Sequence, residues 1–350
     1  MNILSLFDGI SCGRLALERA GIKVDKYFAS EVDQYAIQIA KKNYPDTIHI
    51  GSVTDVSYED WCLYSHDWIH NGLYTQRINM IIWWSPCQDL SIAKKWGQWL
   101  QWEKSSLFFE YVRLLKEVKP KYFLLENVAS MKKADKEEIT RILWVEPVMI
   151  NSALVSAQNR KRLYWFWELQ SDGSYKRIDV EQPEDKWIVL KDILESWESE
   201  LKSYCLPSTY YKENVKSLEQ RKKKWLMVRV WQFNSGGQWD RVYSPEWKSV
   251  SLSANGGGRG AKTGLYSIYN QAFHEDKAMS LWTNSQCPTA KTGQIVIQPP
   301  VIRKLTPIEC ERLQTLPDWY TEWVSNSQRY KAIWNWWTVD VIAHIFSYIK

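Results

Sequence analysis

From Asn2 to Asn127, short and nearly continuous apolar runs alternate with stretches whose apolar residues recur every three or four positions. The first kind reads as strands buried on both faces and the second as amphipathic helices. The opening run, 2–7, breaks at Asp8-Gly9-Ile10-Ser11-Cys12-Gly13, and a helical pattern then runs from Leu15 to a stop at Gly21. A strand at 27–30 ends at Glu31, and a helix at 35–43 leads through a short strand at 47–50 to Gly51-Ser52-Val53-Thr54-Asp55. The β-branched run 78–82 continues through Trp83-Trp84 into Ser85-Pro86-Cys87-Gln88. Ser105 is placed to cap a helix at 107–118, and a strand at 122–125 ends at Glu126-Asn127-Val128. Such alternation predicts an α/β fold, a parallel sheet with right-handed crossovers. Glu31, Cys87 and Glu126 then stand at strand ends on one rim, where open sheets of this kind bind ligands.

Further along, Arg160 and Arg162 alternate with Asn159 and Lys161, which on a strand points both arginines to one face. Regular alternation is lost from Ser171 until Pro299-Pro300. After the double proline, Thr306-Pro307-Ile308-Glu309 reads as a capped helix start, and a last helix at 339–349 is expected to pack next to the first strand.

At 350 residues the chain is long enough for two domains. With 24% charged and 45% hydrophobic residues it has the composition of an ordinary globular protein. No apolar run approaches the roughly 18 residues of a membrane span, and 1–7 is too short and uncharged for a signal peptide, so the cytoplasm is the expected compartment. Cys12, Cys62, Cys87, Cys205, Cys287 and Cys310 form no Cys-x-x-Cys pair, which argues against a structural zinc site and a disulfide scaffold. The net charge of +5 suits a nucleic-acid partner without demanding one.

Taken alone, Cys87 is either a small buried hydrophobe or a nucleophile delivered by a strand end. The glycine turn at 8–13 lets a ligand approach the backbone in front of a helix N-terminus. An acid about twenty residues on, here Glu31, suits ribose hydroxyls, although a plain surface charge is the alternative.

Phe7-Asp8-Gly9, Glu31, Ser85-Pro86-Cys87-Gln88, Glu126-Asn127-Val128, Gln158-Asn159-Arg160-Lys161-Arg162, Arg303-Lys304-Leu305-Thr306-Pro307 with Glu309-Cys310-Glu311-Arg312-Leu313-Gln314, and Asn335 with Val339 occur in the order of the DNA (cytosine-5) methyltransferase motifs. The chain therefore resembles that family along nearly its whole length, and its first motif looks most like phage-encoded or prophage-encoded members. The resemblance implies a Rossmann-like, S-adenosyl-L-methionine-dependent methyltransferase sheet with a smaller target-recognition domain. It divides the chain into a catalytic cofactor-binding part at 1–170, a recognition part at 171–300 and a segment at 301–350 that completes the catalytic domain. Donor contacts are expected from Phe7, Asp8, Gly9, Ile10, Cys12, Glu31, Val32, Ser52, Val53, Pro86, Asn335 and Trp336. On the same model Cys87 is the covalent nucleophile and Glu126 shares a proton with ring nitrogen 3. Arg162 contacts the flipped base and anchors Glu126, while Arg160 helps hold the catalytic loop; no metal is required.

The implied partner is double-stranded DNA, the implied state a monomer, and a cognate restriction endonuclease is a candidate companion. Lys94 and Lys95 would lie on a loop closing over DNA, as phosphate contacts or as solvated charges. Arg221-Lys222-Lys223-Lys224 is a phosphate-binding run or a solvated face, and Arg259 sits in a glycine-rich segment that reads as a groove-reading loop or a hairpin turn.

Tryptophan breaks this pattern. It occurs 22 times against 15 glycines. Trp83-Trp84 replace the Gly-Gly that family members carry before Ser-Pro-Cys, Trp334-Asn335-Trp336 replaces Gly-Asn-Gly, and Trp319 follows Pro317-Asp318 where glycine is expected. The hypothesis that follows is that UGA codons meaning glycine were written as tryptophan, with Trp165 and Trp337 genuine. Restoring about ten of the 22 raises glycine to about 25 of 350, near the usual 7%. Independently, Ser52 stands where many members carry an acid, and Ser11-Cys12 replace a Gly-Gly. Two other readings remain, a catalytically impaired DNA-binding remnant and an RNA cytosine methyltransferase.

Overall fold

The computed structural model describes residues 1–66, 72–84, 103–195, 229–232, 241–243, 265–267, 302–303 and 305–349. The elements in chain order are β1 (Asn2–Leu6), α1 (Cys12–Arg19), β2 (Lys26–Ser30), α2 (Gln34–Asn43), β3 (Ile48–His49), β4 (Val56–Glu59), β5 (Cys62–Ser65), β6 (Gly72–Thr75) and β7 (Met80–Trp84). They continue with α3 (Glu103–Val118), β8 (Tyr122–Val128), α4 (Lys133–Leu143), β9 (Val148–Asn151), β10 (Lys161–Leu169) and β11 (Tyr175–Arg177). Four short strands follow, β12 (Arg229–Gln232), β13 (Arg241–Tyr243), β14 (Leu265–Ser267) and β15 (Ile302–Arg303), then α5 (Pro307–Leu313), α6 (Asn326–Asn335) and α7 (Val339–Phe346).

The main sheet runs β11-β10-β8-β7-β1-β2-β3, with β9 on β10. Its centre is parallel, as the apolar runs require, because a strand covered by helices on both faces has no polar side to show. Period-2 alternation sorts the side chains. Ile3, Met80 and Ile82 join one core with α1 and α7, whereas Leu4, Leu6, Ile81 and Trp83 join the other with α3. Register aligns the carboxyl ends: Leu6 pairs with Ser30 and with Trp83, and Trp84 pairs with Glu126. Strands β12, β13, β14 and β15 form a separate four-stranded sheet in that order.

Several expectations shift. The sheet is mixed, because β9, β10 and β11 run antiparallel to their neighbours. Helix α3 starts at Glu103, so Ser105 lies within its first turn and not ahead of it. Arg160 precedes β10, so the two arginines do not alternate along one strand. The last helix packs on α1, with Arg19 bridging to Asp340 at 2.7 Å. The meander β4-β5-β6 and helix α4 were not foreseen. The capped start of α5 agrees with expectation: Thr306 accepts the Glu309 N–H while Glu309 accepts the Thr306 N–H. Among the described residues, no helix is long and apolar enough to cross a membrane.

Candidate active site

The chain leaves β1 through a tight loop in which Phe7, Gly9 and Ser11 all have φ near +60°. Glycine adopts this geometry freely; Ser11 does so with its hydroxyl held by Asp8 Oδ2 at 2.6 Å. Tyr27 donates to the other Asp8 oxygen at 2.6 Å. Burial pushes the Asp8 carboxyl up, against these hydroxyls and the Arg14 charge. Asp8 thus pins the loop from beneath. Ile10 is buried in the core, and its carbonyl accepts from Tyr320 at 2.8 Å.

Glu31, just past β2, closes the same loop. Its Oε2 accepts the Gly9 N–H at 2.9 Å, and its Oε1 accepts those of Val32 and Asp33 at 2.8 Å each. Burial raises its pKa, and the three backbone donors oppose that rise. The carboxylate retains lone pairs for hydroxyl donors. Val32 is exposed beside it. Ser52 caps a short turn through its oxygen, which accepts the Thr54 N–H at 3.3 Å, and Val53 is buried.

At the end of β8, Glu126 is 2% exposed. Its Oε1 lies 2.8 Å from Arg162 Nε, in an ion pair off the line of a good hydrogen bond. Burial raises the Glu126 pKa, and Arg162, Arg160 and the Trp337 side chain oppose the rise. Arg160 is buried and donates to the Trp336 carbonyl at 3.3 Å. The structure therefore joins Glu126 with Arg162 directly and ties Arg160 to the C-terminal segment.

Against the loop lies a small cavity, with room for about one water molecule, lined by Ser5, Leu6, Phe7, Asp8, Cys12, Gly13, Trp84, Trp336 and Trp337. Two indoles crowd it, with Trp84 and Trp336 ring centroids 4.6 Å apart. A methyl group built on Gly9 would sit 1.9 Å from Trp336 Cζ2, so the indole lies directly on the loop. A small-molecule site needs far more room than that. The polar partners suit a nucleoside-bearing methyl donor, but the space left by these tryptophans does not hold one. Cys12 reaches this cavity, with its thiol pushed up chiefly by burial.

Pro86, Cys87, Lys94, Lys95, Arg259 and the Arg221-to-Lys224 run lie outside the described residues, as does the Asn335 side chain. Sequence reasoning missed Tyr27, which holds Asp8, and gave Gln158 no role beyond its place in a motif, where the structure makes it a fully buried amide with neither polar atom hydrogen-bonded among the described residues. It also missed how closely Gly13 packs on β7, where a methyl group would meet the tip of the Ile82 side chain, Cδ1, at 2.5 Å.

Type II methyltransferase M.HhaI of Haemophilus parahaemolyticus is 26% identical over 355 residues, spanning 99% of this chain and 93% of that protein. Orphan methyltransferase M.SPRI of Bacillus phage SPR is 23% identical over 441 residues, spanning 99% and 96%. The fold matches that of S. pombe Dnmt2 methyltransferase with a TM-score of 0.60 at 19% identity, covering 99% of this chain and 97% of that one. It also matches Entamoeba histolytica methyltransferase EhMeth with a TM-score of 0.61 at 17% identity, over 99% and 97%. The family model of the C-5 cytosine-specific DNA methylases matches residues 1–350. The chain belongs to that family, the enzymes that carry a methyl group from S-adenosyl-L-methionine to carbon 5 of cytosine in DNA.

Proposed function

We propose that this chain methylates cytosine in duplex DNA by first adding the Cys87 thiolate to carbon 6 of a base swung out of the helix. Carbon 5 of cytosine is a poor nucleophile, and addition at carbon 6 turns the ring into an enamine. Glu126 holds a proton toward ring nitrogen 3 as charge develops there, and Arg162 fixes its orientation. Arg160 braces the segment at 336 through its carbonyl bond. After methylation, water or hydroxide takes the carbon 5 proton, the ring double bond reforms, and the Cys87 thiolate leaves. A base stacked in a duplex cannot be reached this way, so the scheme requires flipping.

The supporting observation is the register of β7 on β8. Trp84 pairs with Glu126, so the buried Glu126–Arg162 ion pair stands beside the strand end from which the chain runs on to Cys87. Residues 1–170 and 301–350 form the catalytic domain in this reading, and 171–300 recognise the target. The enzyme acts as a monomer in the cytoplasm of a bacterial or phage-infected cell, with a cognate restriction endonuclease as a candidate companion.

The test is covalent trapping on duplex DNA that contains 5-fluorocytosine, using the chain with glycine at 83, 84, 319, 334 and 336. A covalent complex is expected, and Cys87→Ser should abolish it; persistence in that variant would refute the nucleophile. Transfer of labelled methyl to RNA and not to duplex DNA would overturn the choice of substrate.

A further inference from the structure

Among the described residues, nine non-glycine residues have positive φ, and four of them are tryptophans: Trp61, Trp144, Trp187 and Trp319. A residue type that fills 22 of 350 positions thus supplies nearly half of the non-glycine left-handed sites among the described residues. For a bulky side chain this conformation is an outlier. Each site is also one where glycine has a recognised task. Asp60 and Trp61 form a two-residue loop between β4 and β5 with φ of 47° and 64°. Positive φ at both positions is the mark of the hairpin turn that prefers Asp-Gly. Trp144 closes α4 with φ 60° and ψ 15°, the left-handed cap that glycine most often supplies. Trp187 follows a side-chain turn in which Asp185 accepts its N–H at 2.8 Å. Trp319 ends the Pro317-Asp318 turn, its N–H donated to Glu311 at 2.9 Å. All four side chains are more than half exposed, so little burial offsets the strain, and the arginines over two of the rings, Arg77 at 5.0 Å from Trp61 and Arg329 at 5.7 Å from Trp319, each add only the modest attraction of an exposed cation–π contact.

The buried tryptophans of β10 behave differently. Trp165 is fully buried and donates its indole N–H to Thr140 at 3.2 Å. Trp167 packs edge-on against Phe123 and Tyr175. The indole N–H groups of Trp84 and Trp167 are both buried without a partner, so what sets the cavity apart is crowding, with Trp336 filling the space above Gly9 and its ring 4.6 Å from that of Trp84. Trp83 stacks on Tyr111 at 4.6 Å without positive φ, and the geometry carries nothing for it.

We infer that positions 61, 144, 187 and 319, together with 84 and 336, are glycine in the working protein, through UGA codons that its own cells decode as glycine. The two cavity positions rest on the methyltransferase reading, whereas the four turn positions stand on backbone geometry alone. With glycine at 84 and 336, the floor at Gly9 and the acid at Glu31 face an open site for the methyl donor.

Tandem mass spectrometry of the protein purified from its native cells tests this directly. Glycine is expected at the six positions, with tryptophan at 165 and 167 in the same digest as the internal control; tryptophan at the six would overturn the inference. Two recombinant arms give independent readouts. The fourfold variant Trp61→Gly, Trp144→Gly, Trp187→Gly and Trp319→Gly should melt several degrees higher than the chain as written; an equal or lower melting temperature counts against it. Adding Trp84→Gly and Trp336→Gly should create calorimetric binding of S-adenosylmethionine without DNA, and absence of binding overturns the cavity part. Binding without methylation of cytosine would support the inference and count against the reaction assignment.

Discussion

A carboxyl that shares a proton with a base needs a pKa above the ordinary range, and Glu126 has one because burial outweighs the charges beside it. Arg162 is the first of those opposing charges. Arg162→Met should therefore raise the Glu126 pKa further, which infrared titration of the buried carboxyl reads as a shift to higher pH. The sign for stability follows from linkage. A folded-state pKa above 4.5 means that the folded chain binds more protons between 4.5 and the raised value, so stability falls as pH rises through that window. Glu126→Gln should flatten this fall, and an unchanged slope in denaturant titrations would assign the pH dependence elsewhere. Glu126 and Arg162 were legible because each stands in a motif at a strand end. Tyr27 was not, since its importance lies in the Asp8 oxygen that it holds, and one residue's neighbours in space leave no mark beside it in the chain.

The C-terminal elements hold together through a carboxylate that sequence reading passed over as one letter of a motif. Glu311 in α5 is fully buried and pairs with Arg329 of α6 at 3.0 Å. It also accepts the backbone N–H groups of Trp319 and Thr321 at 2.9 Å each. Removing one partner of a buried pair leaves the other charge uncompensated, at a cost of about 3 to 5 kcal/mol. Glu311→Ala should therefore destabilise the chain by that order in urea unfolding, while Lys133→Ala in the exposed pair with Glu137 should change it by less than about 1 kcal/mol. At this scale the central strands were legible from apolar runs alone, and α5 from its Thr-Pro-x-Glu start. The meander β4-β5-β6 was not, and the reason is local: Asp-Gly is the strongest short hairpin signal, and here the turn reads Asp60-Trp61. Helix α4 lost its stop signal in the same way at Trp144.

For the molecule as a whole, the six tryptophans separate two properties that usually fail together. DNA affinity rests mainly on lysine and arginine against phosphate, and each neutralised phosphate steepens the fall of affinity with salt by about 0.9 in log–log slope. Tryptophan and glycine are both uncharged, so restoring glycine leaves the net charge of +5 as it is. The chain as written and the chain with glycine at 61, 84, 144, 187, 319 and 336 should therefore show the same salt slope for duplex binding, measured by fluorescence anisotropy. Donor binding should differ sharply, because it needs the volume that Trp336 and Trp84 fill. A DNA-binding remnant would bind duplex with that slope in both forms and take up donor in neither. Unequal slopes would mean that the indoles rearrange the basic surface as well as the cavity, and the separation between electrostatic docking and cofactor space would fail.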